Sequence, residues 1–310
     1  MTDIKFGFHY GRIHQEHPPP IFAPTLESMG FDSVWLAEGL VNELPMLDIM
    51  MAMSAFVHNT RRLTVGGGVV LLPLRHPAIL AKEVSTLDRL SGGRIILGIG
   101  VGGPPHSNPA SFEVTGVKLS ERGARTDECL EIMTKLWRGE LVSHHGRFYH
   151  FDGISMTPPP LQHPHPPLWA GGMSRQMLRR TARWCDGFFP VDVSPPEYLD
   201  ALGRIKGYAD GFGRSIDGLT KAMHLFFRLG RSKRETRASA QRILNRRRGF
   251  DVELPDDGRF GFGTVSDCVR TIESFVEIGV SHFVFNPLIA RSRIEGQLER
   301  LATEVIPWFK

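Results

Sequence analysis

Residues 61–103 read RRLTVGGGVVLLPLRHPAILAKEVSTLDRLSGGRIILGIGVGG and contain one complete strand–helix–strand unit. Apolar residues dominate Leu63–Val70 and Arg94–Gly100, as in strands that are buried on both faces. Between them, His76–Leu90 has helical periodicity, and Pro77 suits the first turn of a helix. Two strands joined through a helix run parallel with a right-handed connection. This stretch therefore predicts a βαβ unit.

The same alternation of apolar runs and helical segments extends in both directions along the chain. Six further strands are predicted, each followed by helical sequence: Ile4–His9, Ser33–Ala37, Leu168–Ala170, Gly187–Val191, Thr220–Leu229 and His282–Asn286. Eight parallel units of this kind close most naturally into a (β/α)8 barrel, the TIM barrel of the α/β class. The competing solution is an open doubly wound sheet, but no GxGxxG motif opens a helix after the first strand.

Three segments depart from this repeat. Leu141–Phe151 alternates around a glycine and predicts a β-hairpin laid over the barrel. Thr157–Pro167 has too many prolines for a helix or a strand, so we expect an extended surface connection. Residues 231–261 form an insertion with a basic helical half and an acidic half. It is either a solvated element whose halves partly neutralise each other or an electropositive rim that attracts an anion. We expect one barrel domain over residues 1–310.

The composition excludes several classes of protein. With 37 basic and 33 acidic residues among 310, the net charge is only +4, which gives no case for a nucleic-acid partner. The three cysteines form no CxxC pair, so a disulfide scaffold or a cysteine zinc site is not expected. Neither a signal-peptide pattern nor an apolar stretch of membrane-spanning length occurs. We therefore expect a cytoplasmic protein that has no membrane partner.

The active site of such a barrel lies at the carboxyl ends of its strands. The sequence contains no HExxH motif, GxSxG elbow or Walker A loop, so neither a catalytic metal nor a resident nucleophile is expected. This pattern indicates a bound cofactor that carries the chemistry.

Glycines mark two candidate cofactor positions. In WAGGMS, Gly171 and Gly172 would let backbone amides approach a phosphate, with Ser174 and Arg175 beside them; a plain strand-to-helix turn is the alternative. In the third strand, Gly66–Gly68 suggests either a bulge, a closely packed helix or a flat ligand against the backbone. The end of the fourth strand is also rich in glycine. Two adjacent strand ends with few side chains favour a wide planar ligand.

The block at residues 61–103 resembles the signature of the luciferase-like monooxygenase superfamily. Further similarity lies in GFDSVWLAE at 30–38, PPLQHPHPPLWAGGMS at 159–174 and GTVSDCVRTIESFVEIGVSHFVFN at 263–286, so the resemblance spans nearly the whole chain. It implies a (β/α)8 barrel that uses reduced FMN or the deazaflavin coenzyme F420.

The resemblance also implies site residues. Glu38 would touch the cofactor, a non-proline cis peptide would join Gly68 and Val69 behind its ring, and the paired glycines would hold its phosphate. The implied cofactor-binding residues are Glu38, Gly68, Val69, Val101, His106, Gly171, Gly172, Ser174 and Arg175.

Two departures from the family bear on the reaction. The sugar-phosphate dehydrogenase branch has a catalytic histidine and a catalytic glutamate where this chain has Gly39 and Gly103, so that activity is not implied. Another group must handle protons. His9 is the first candidate, because it ends a strand and histidine has an ordinary pKa near 6.5; His106 is the second. The candidate catalytic residues are thus His9, Glu38 and His106.

The leading hypothesis is an F420-dependent oxidoreductase that transfers a hydride between C5 of the deazaflavin and a small organic substrate. An FMN-dependent monooxygenase that uses oxygen is the first alternative, and a flavin-binding protein without catalysis is the second. From the resemblance alone we expect a homodimer.

Overall fold

The chain folds around a closed barrel of eight parallel strands, as the sequence predicts. The computed structural model describes residues 3–11, 13–41, 45–103, 109–248 and 251–310. Around the barrel the order is β1, β2, β3, β4, β7, β8, β9 and β11, and the pairing of β11 with β1 closes the ring. The barrel strands are β1 Lys5–His9, β2 Ser33–Leu36, β3 Thr64–Leu71, β4 Ile95–Gly100, β7 Leu168–Ala170, β8 Gly187–Phe188, β9 Thr220–Leu229 and β11 His282–Pro287.

Helices follow the strands and cover the outside of the barrel. They are α1 Pro19–Ser28, α2 Ile49–His58, α3 Pro77–Ser91, α4 Pro109–Val114, α5 Arg122–Trp137, α6 Arg175–Trp184, α7 Pro195–Gly211, α8 Lys233–Arg248, α9 Val265–Val276 and α10 Ile294–Arg300. Local signals set their ends. The Asp48 carboxylate caps α2 by accepting hydrogen bonds from the amides of Met50 and Met51. Gly92 ends α3 with a φ of +71°, a conformation that glycine adopts without steric cost.

Aromatic side chains fill the barrel interior. Trp35, Trp169 and Phe189 form an inner cluster with Ala222 and Val284. The centroids of the two indole rings lie 4.8 Å apart. This packing leaves no room for a side chain at the facing positions of β3 and β8. A Cβ on Gly66 would lie 2.5 Å from Cε3 of Trp35, and one on Gly187 would overlap the ring of Trp169.

Interactions within the protein therefore explain why β3 contains glycines. Gly66 makes room for an indole ring, and the pairing of β3 with β4 shifts register between Gly67 and Val70, which is the bulge that the sequence analysis considered. The peptide bond between Gly68 and Val69 is cis, as the resemblance implied. Of the three interpretations, a flat ligand does not explain Gly66, because the ring of Trp35 fills the space beside it. Gly68 and Val69, at the other end of the run, are half-buried.

Two additional strand pairings lie outside the barrel. β5 Val142–His145 and β6 His150–Ile154 form the predicted antiparallel hairpin, and β5 packs against α5. β10 Gly261–Gly263, which was not predicted, pairs with the far end of β9 at Phe227–Leu229. Glycines at both of its ends weaken its strand signal in the sequence.

The insertion consists of α8 and an extended return towards β10. Lys233 and Arg237 of α8 pair with Asp256 of the return, at N–O distances of 2.5 and 3.4 Å. Its halves thus partly neutralise each other, as one of the two interpretations held. A second apolar cluster holds the insertion to the barrel: Ala240, Leu244, Leu254, Phe260, Phe262 and Leu288. Within the described residues, no helix is both long enough and apolar enough to cross a membrane.

Candidate active site

Three polar side chains from three strands meet inside the barrel at the carboxyl ends of its strands. His9 ends β1, His224 lies in β9, and Asn286 lies near the end of β11. The ring centroids of His9 and His224 are 4.6 Å apart, with 30° between the ring planes. The amide nitrogen of Asn286 donates a hydrogen bond to Nε2 of His224 at 3.0 Å. The fold thus places His9, the first candidate for proton transfer, beside a second histidine that the sequence analysis missed.

Burial decides the charge of His224. Its ring stacks on Phe189 with 5.6 Å between centroids and 11° between planes, and the residue is only 9% exposed. Burial, and secondarily the charge of His9, holds the pKa of His224 well below its ordinary value. The accepted hydrogen bond from Asn286 agrees with an unprotonated Nε2. His224 is therefore neutral at physiological pH.

Glu38 is held by the protein itself. Its Oε1 lies 2.6 Å from Nε of Arg75, and Oε2 accepts a hydrogen bond from the amide of Leu71. The carboxylate side chain is 6% exposed, and burial raises its pKa although Arg75 and the Leu71 amide oppose this effect. These two hydrogen bonds thus fix the backbone at the end of β3 and just beyond it. The role of Glu38 as a cofactor-contacting or catalytic residue stays a prediction.

Val69 lies between the ends of two neighbouring strands. A Cβ on Gly100 would lie 2.5 Å from one Val69 methyl group, and one on Gly171 would lie 3.4 Å from the other. Gly68, Val69 and Gly171 are half-buried, and so are Val101 and Gly172. One wall of the mouth, from β3 to β7, is therefore a shallow apolar surface with few side chains.

The segment after β7 leads directly into α6. Gly172 has a φ of +109°, and the hydroxyl of Ser174 caps α6 by accepting a hydrogen bond from the amide of Met177 at 3.2 Å. The first amides of the helix are left without partners inside it, as in any helix N-terminus. Ser174 and Arg175 are exposed, and Arg175 makes no ion pair with another described residue. The segment can therefore accept an anionic group.

The described residues fit a flavin-type group in most positions. The shallow wall suits a flat ring, and the start of α6 suits a phosphate. Glu38 is the exception, because its oxygens are already occupied. His106 lies outside the described residues. In the part of the chain that is described, no three His, Cys, Asp or Glu side chains converge to hold a metal ion.

Known sequences resemble this chain over much of its length. A family model described as luciferase-like monooxygenase matches residues 21–281. An uncharacterised protein of Mycobacterium tuberculosis is 35% identical over 185 residues, which are 57% of this chain and 62% of that relative, so less than two thirds of its length is covered. The phthiodiolone/phenolphthiodiolone dimycocerosates ketoreductase of the same organism is 27% identical over 273 residues, covering 79% of this chain and 70% of the ketoreductase.

Solved structures share the fold over 99% of this chain. The F420-dependent tetrahydromethanopterin reductase of Methanopyrus kandleri is covered completely, with a TM-score of 0.80 and 21% identity. An F420-dependent secondary alcohol dehydrogenase, in complex with an F420–acetone adduct, is covered to 99%, with a TM-score of 0.82 and 18% identity. A long-chain alkane monooxygenase is covered to 91%, with a TM-score of 0.79 and 18% identity. At such identities the likeness establishes the fold alone.

Proposed function

This chain belongs to the luciferase-like monooxygenase family, and we propose that it is a coenzyme F420-dependent oxidoreductase that acts on a small organic substrate. The observation that carries the proposal is that two walls of the mouth lie near each other: the shallow surface around Val69 and the imidazole rings of His9 and His224. Phe189 is beside both, because its ring is 3.6 Å from a Cβ placed on Gly68 and stacks on His224. A flat coenzyme would lie on the first wall, and its substrate would lie within reach of the imidazole rings.

The residues of this chain have distinct parts in binding. Gly68, Val69 and Val101 would contact the ring, while the amides of Gly172 and of the first turn of α6, together with Arg175, would hold the phosphate. When bound, the reduced deazaflavin supplies a hydride. The chain itself excludes water from the two walls, orients the substrate and exchanges a proton through the His9 imidazole.

Three similar proteins support reduction in preference to oxygen chemistry. The mycobacterial ketoreductase aligns with 79% of this chain, and two structures of the same fold belong to F420-dependent enzymes. The second candidate function is an FMN-dependent monooxygenase, which the equally similar fold of the alkane monooxygenase favours. A flavin-binding protein without turnover is the third, because Gly39 and Gly103 stand where related enzymes handle protons.

A fluorescence titration of the purified protein with F420, and separately with FMN, distinguishes the candidates. Tight binding of F420 alone supports the proposal and justifies a substrate screen with the reduced coenzyme. Binding of FMN alone supports oxygen chemistry, and binding of neither refutes all three. A His9→Ala variant separates an enzyme from a binding protein, since an enzyme would lose turnover with its coenzyme still bound.

A further inference from the structure

One face of β9 continues past His224 towards solvent. Side chains alternate along a strand, so Ala222, His224, Phe226 and Arg228 share this face, while the residues between them pack in the main core. Ala222 lies in the inner aromatic cluster, and the ring centroids of His224 and Phe226 are 5.8 Å apart. Phe226 and Arg228 are both half-buried. The face thus passes from a neutral imidazole to an aromatic ring and then to a guanidinium.

Two further guanidinium groups approach Arg228 from other elements. Arg293 precedes α10 and lies one turn before Gln297, whose side-chain amide binds both the amide and the carbonyl of Leu229. Arg293 therefore faces the same end of β9, and Arg242 comes from α8. Burial lowers the pKa of Arg228, and the charges of Arg293 and Arg242 act in the same direction. Three positive charges thus meet where β9 ends.

These charges have little compensation from the protein. The acid that acts on Arg228 is Glu235 of α8, which is exposed. Arg293 makes no ion pair within the described part of the chain, whereas Arg291, two residues earlier, lies 3.3 Å from Glu16. Guanidinium groups stay charged at physiological pH, so they repel one another unless an anion lies between them. The arrangement indicates an anion-binding site on this side of the mouth.

The anchoring of Arg228 leaves part of its guanidinium available. Nη1 donates a hydrogen bond to the backbone oxygen of Leu288 at 2.8 Å, which holds the side chain against the segment that follows β11. Nε and Nη2 make no hydrogen bond with another described residue. A planar guanidinium can bind a carboxylate or a phosphate through two parallel hydrogen bonds.

We propose that the substrate is an amphiphilic anion: its carboxylate or phosphate binds Arg228 and Arg293, its apolar part lies along Phe226, and its other end reaches His224. Four residues of a strand span about 13 Å, which sets the separation between the anionic group and the reacting end. The anion site belongs to the protein without coenzyme, whereas its part in binding a substrate rests on the proposed function.

Isothermal titration calorimetry of the protein without coenzyme tests the anion site. The probes are octanoate, octyl phosphate and neutral 1-octanol, which share one apolar chain. We expect the anions to bind at least about tenfold more tightly than 1-octanol, because hydrogen bonds to a charged group are stronger, and to bind less tightly as salt is added. The tighter anion identifies the end group of the substrate. Equal binding of all three probes overturns the proposal, as does the absence of anion binding.

Arg293→Gln and Arg291→Gln form a matched pair, because each removes one positive charge from the same short segment. We expect the affinity for octanoate to fall about fivefold in Arg293→Gln and to stay within about twofold in Arg291→Gln. Arg228→Gln keeps a donor for the backbone oxygen of Leu288 and should weaken octanoate at least about tenfold. Urea unfolding shows whether this third variant is folded; if it is not, the matched pair decides. Equal affinities in the pair overturn the site.

Acetate tests the apolar part of the site, because it has the carboxylate of octanoate without the chain. We expect acetate to bind at least about tenfold more weakly than octanoate, since burying the chain along Phe226 is favourable. The Phe226→Ala variant should weaken octanoate several-fold and leave acetate unchanged. An unchanged affinity for octanoate in this variant overturns the placement of the chain.

The coenzyme separates this proposal from the proposed function. In a substrate screen with reduced F420, compounds with an anionic end should show a higher KM in Arg293→Gln at an unchanged kcat. Binding of octanoate without any binding of F420 would refute the proposed function and leave the anion site in place. Binding of F420 without any binding of octanoate would overturn the anion site alone.

Discussion

The guanidinium of Arg75 lies against the carboxylate of Glu38, with Nη2 2.5 Å from Oε1, and thereby ties the end of β2 to the segment after β3. The same guanidinium lies 2.9 Å from Asp48, which caps α2, and 3.6 Å from Glu83 on α3. Oε2 of Glu38 also accepts a hydrogen bond from the amide of Leu71, two residues after Val69, so this cluster of charges fixes the backbone around Val69. Glu38 therefore supports, from behind, the shallow wall around Val69 that we propose for the coenzyme.

Replacing Glu38 with Gln should weaken both the fold and the cofactor site. The variant removes a nearly buried partner of Arg75, which should lower the free energy of unfolding by about 2–4 kcal/mol. We expect urea unfolding to show this loss and fluorescence titration to show weaker coenzyme binding. The matched Glu83→Gln variant, whose longer ion pair is more exposed, should change both quantities much less. Equal effects of the two variants would contradict this role.

Two buried histidines should make the protein sensitive to acid. Burial lowers the pKa of His282 to about 3 and that of His224 well below its ordinary value. Since the unfolded chain binds these protons near pH 6.5, stability is complete above that pH and falls as the pH decreases. At pH 5 His282 alone should reduce the free energy of unfolding by about 2 kcal/mol relative to pH 7.5, and His224 should add to this loss.

Urea unfolding at pH 7.5 and pH 5 measures this loss. The His282→Gln variant removes one of the two groups, and its glutamine can still reach the hydroxyl of Ser33, which lies 2.7 Å from Nε2 of His282. The acid-dependent loss should be smaller in the variant by about 2 kcal/mol. An unchanged loss would mean that His282 is already protonated in the folded protein.

Much of the barrel could be predicted from the sequence, because parallel strands buried on both faces appear as continuous apolar runs. β1, β3 and β11 begin or end within one residue of their predicted bounds. The strand predicted at Gly187–Val191 is shorter, ending at Phe188, because Pro190 has no amide to donate to a ladder. The short β10 depends on its pairing with β9, which no local pattern reveals.

The candidate site was predicted less completely. Gly171 and Val69 were found through a family resemblance, whereas His224 carries no motif. Alternation could have revealed it, since Ala222 lies in the inner cluster and a residue two positions further on the same strand faces the same side. The glycines of β3 suggested a ligand, but the space beside Gly66 belongs to Trp35, which lies on another strand and 31 residues earlier in the sequence, so no local pattern in β3 reveals it.

Substitution of Gly66 with Ala should destabilise the barrel. Its Cβ would lie 2.5–2.7 Å from three ring atoms of the fully buried Trp35, and overpacking of this kind costs about 1–3 kcal/mol. Gly203→Ala is the control, because Gly203 lies exposed within α7 with nothing near its Cβ position. Alanine there should stabilise the protein by about 0.4–1 kcal/mol. Thermal unfolding of both variants measures the difference, and a stable Gly66→Ala protein would contradict the packing argument.

Arg259 should determine how stably the insertion packs against the barrel. Its guanidinium lies 2.6 Å from Asp257 and 3.0 Å from Glu197 at the start of α7, and it donates to the backbone oxygen of Asp192. The Arg259→Ala variant leaves these carboxylates facing each other without a cation. We expect faster tryptic cleavage within α8, measured by mass spectrometry. Arg270→Ala, which removes an exposed pair within α9, should leave the cleavage rate unchanged.

Substitution of Gly172 with Ala tests the anion-binding segment. Gly172 has a φ of +109° beside α6, and Gly30 has a φ of +87° at the far end of α1 with nothing near its Cβ position. Alanine should cost about 1–2 kcal/mol of stability at either position, because L side chains disfavour this backbone region. Only Gly172→Ala alters the backbone amides that would contact the coenzyme phosphate. We therefore expect the affinity for F420 to fall at least about tenfold in Gly172→Ala, equivalent to about 1.4 kcal/mol, and to remain unchanged in Gly30→Ala. Equal affinities in both variants would mean that the phosphate is held elsewhere in the mouth.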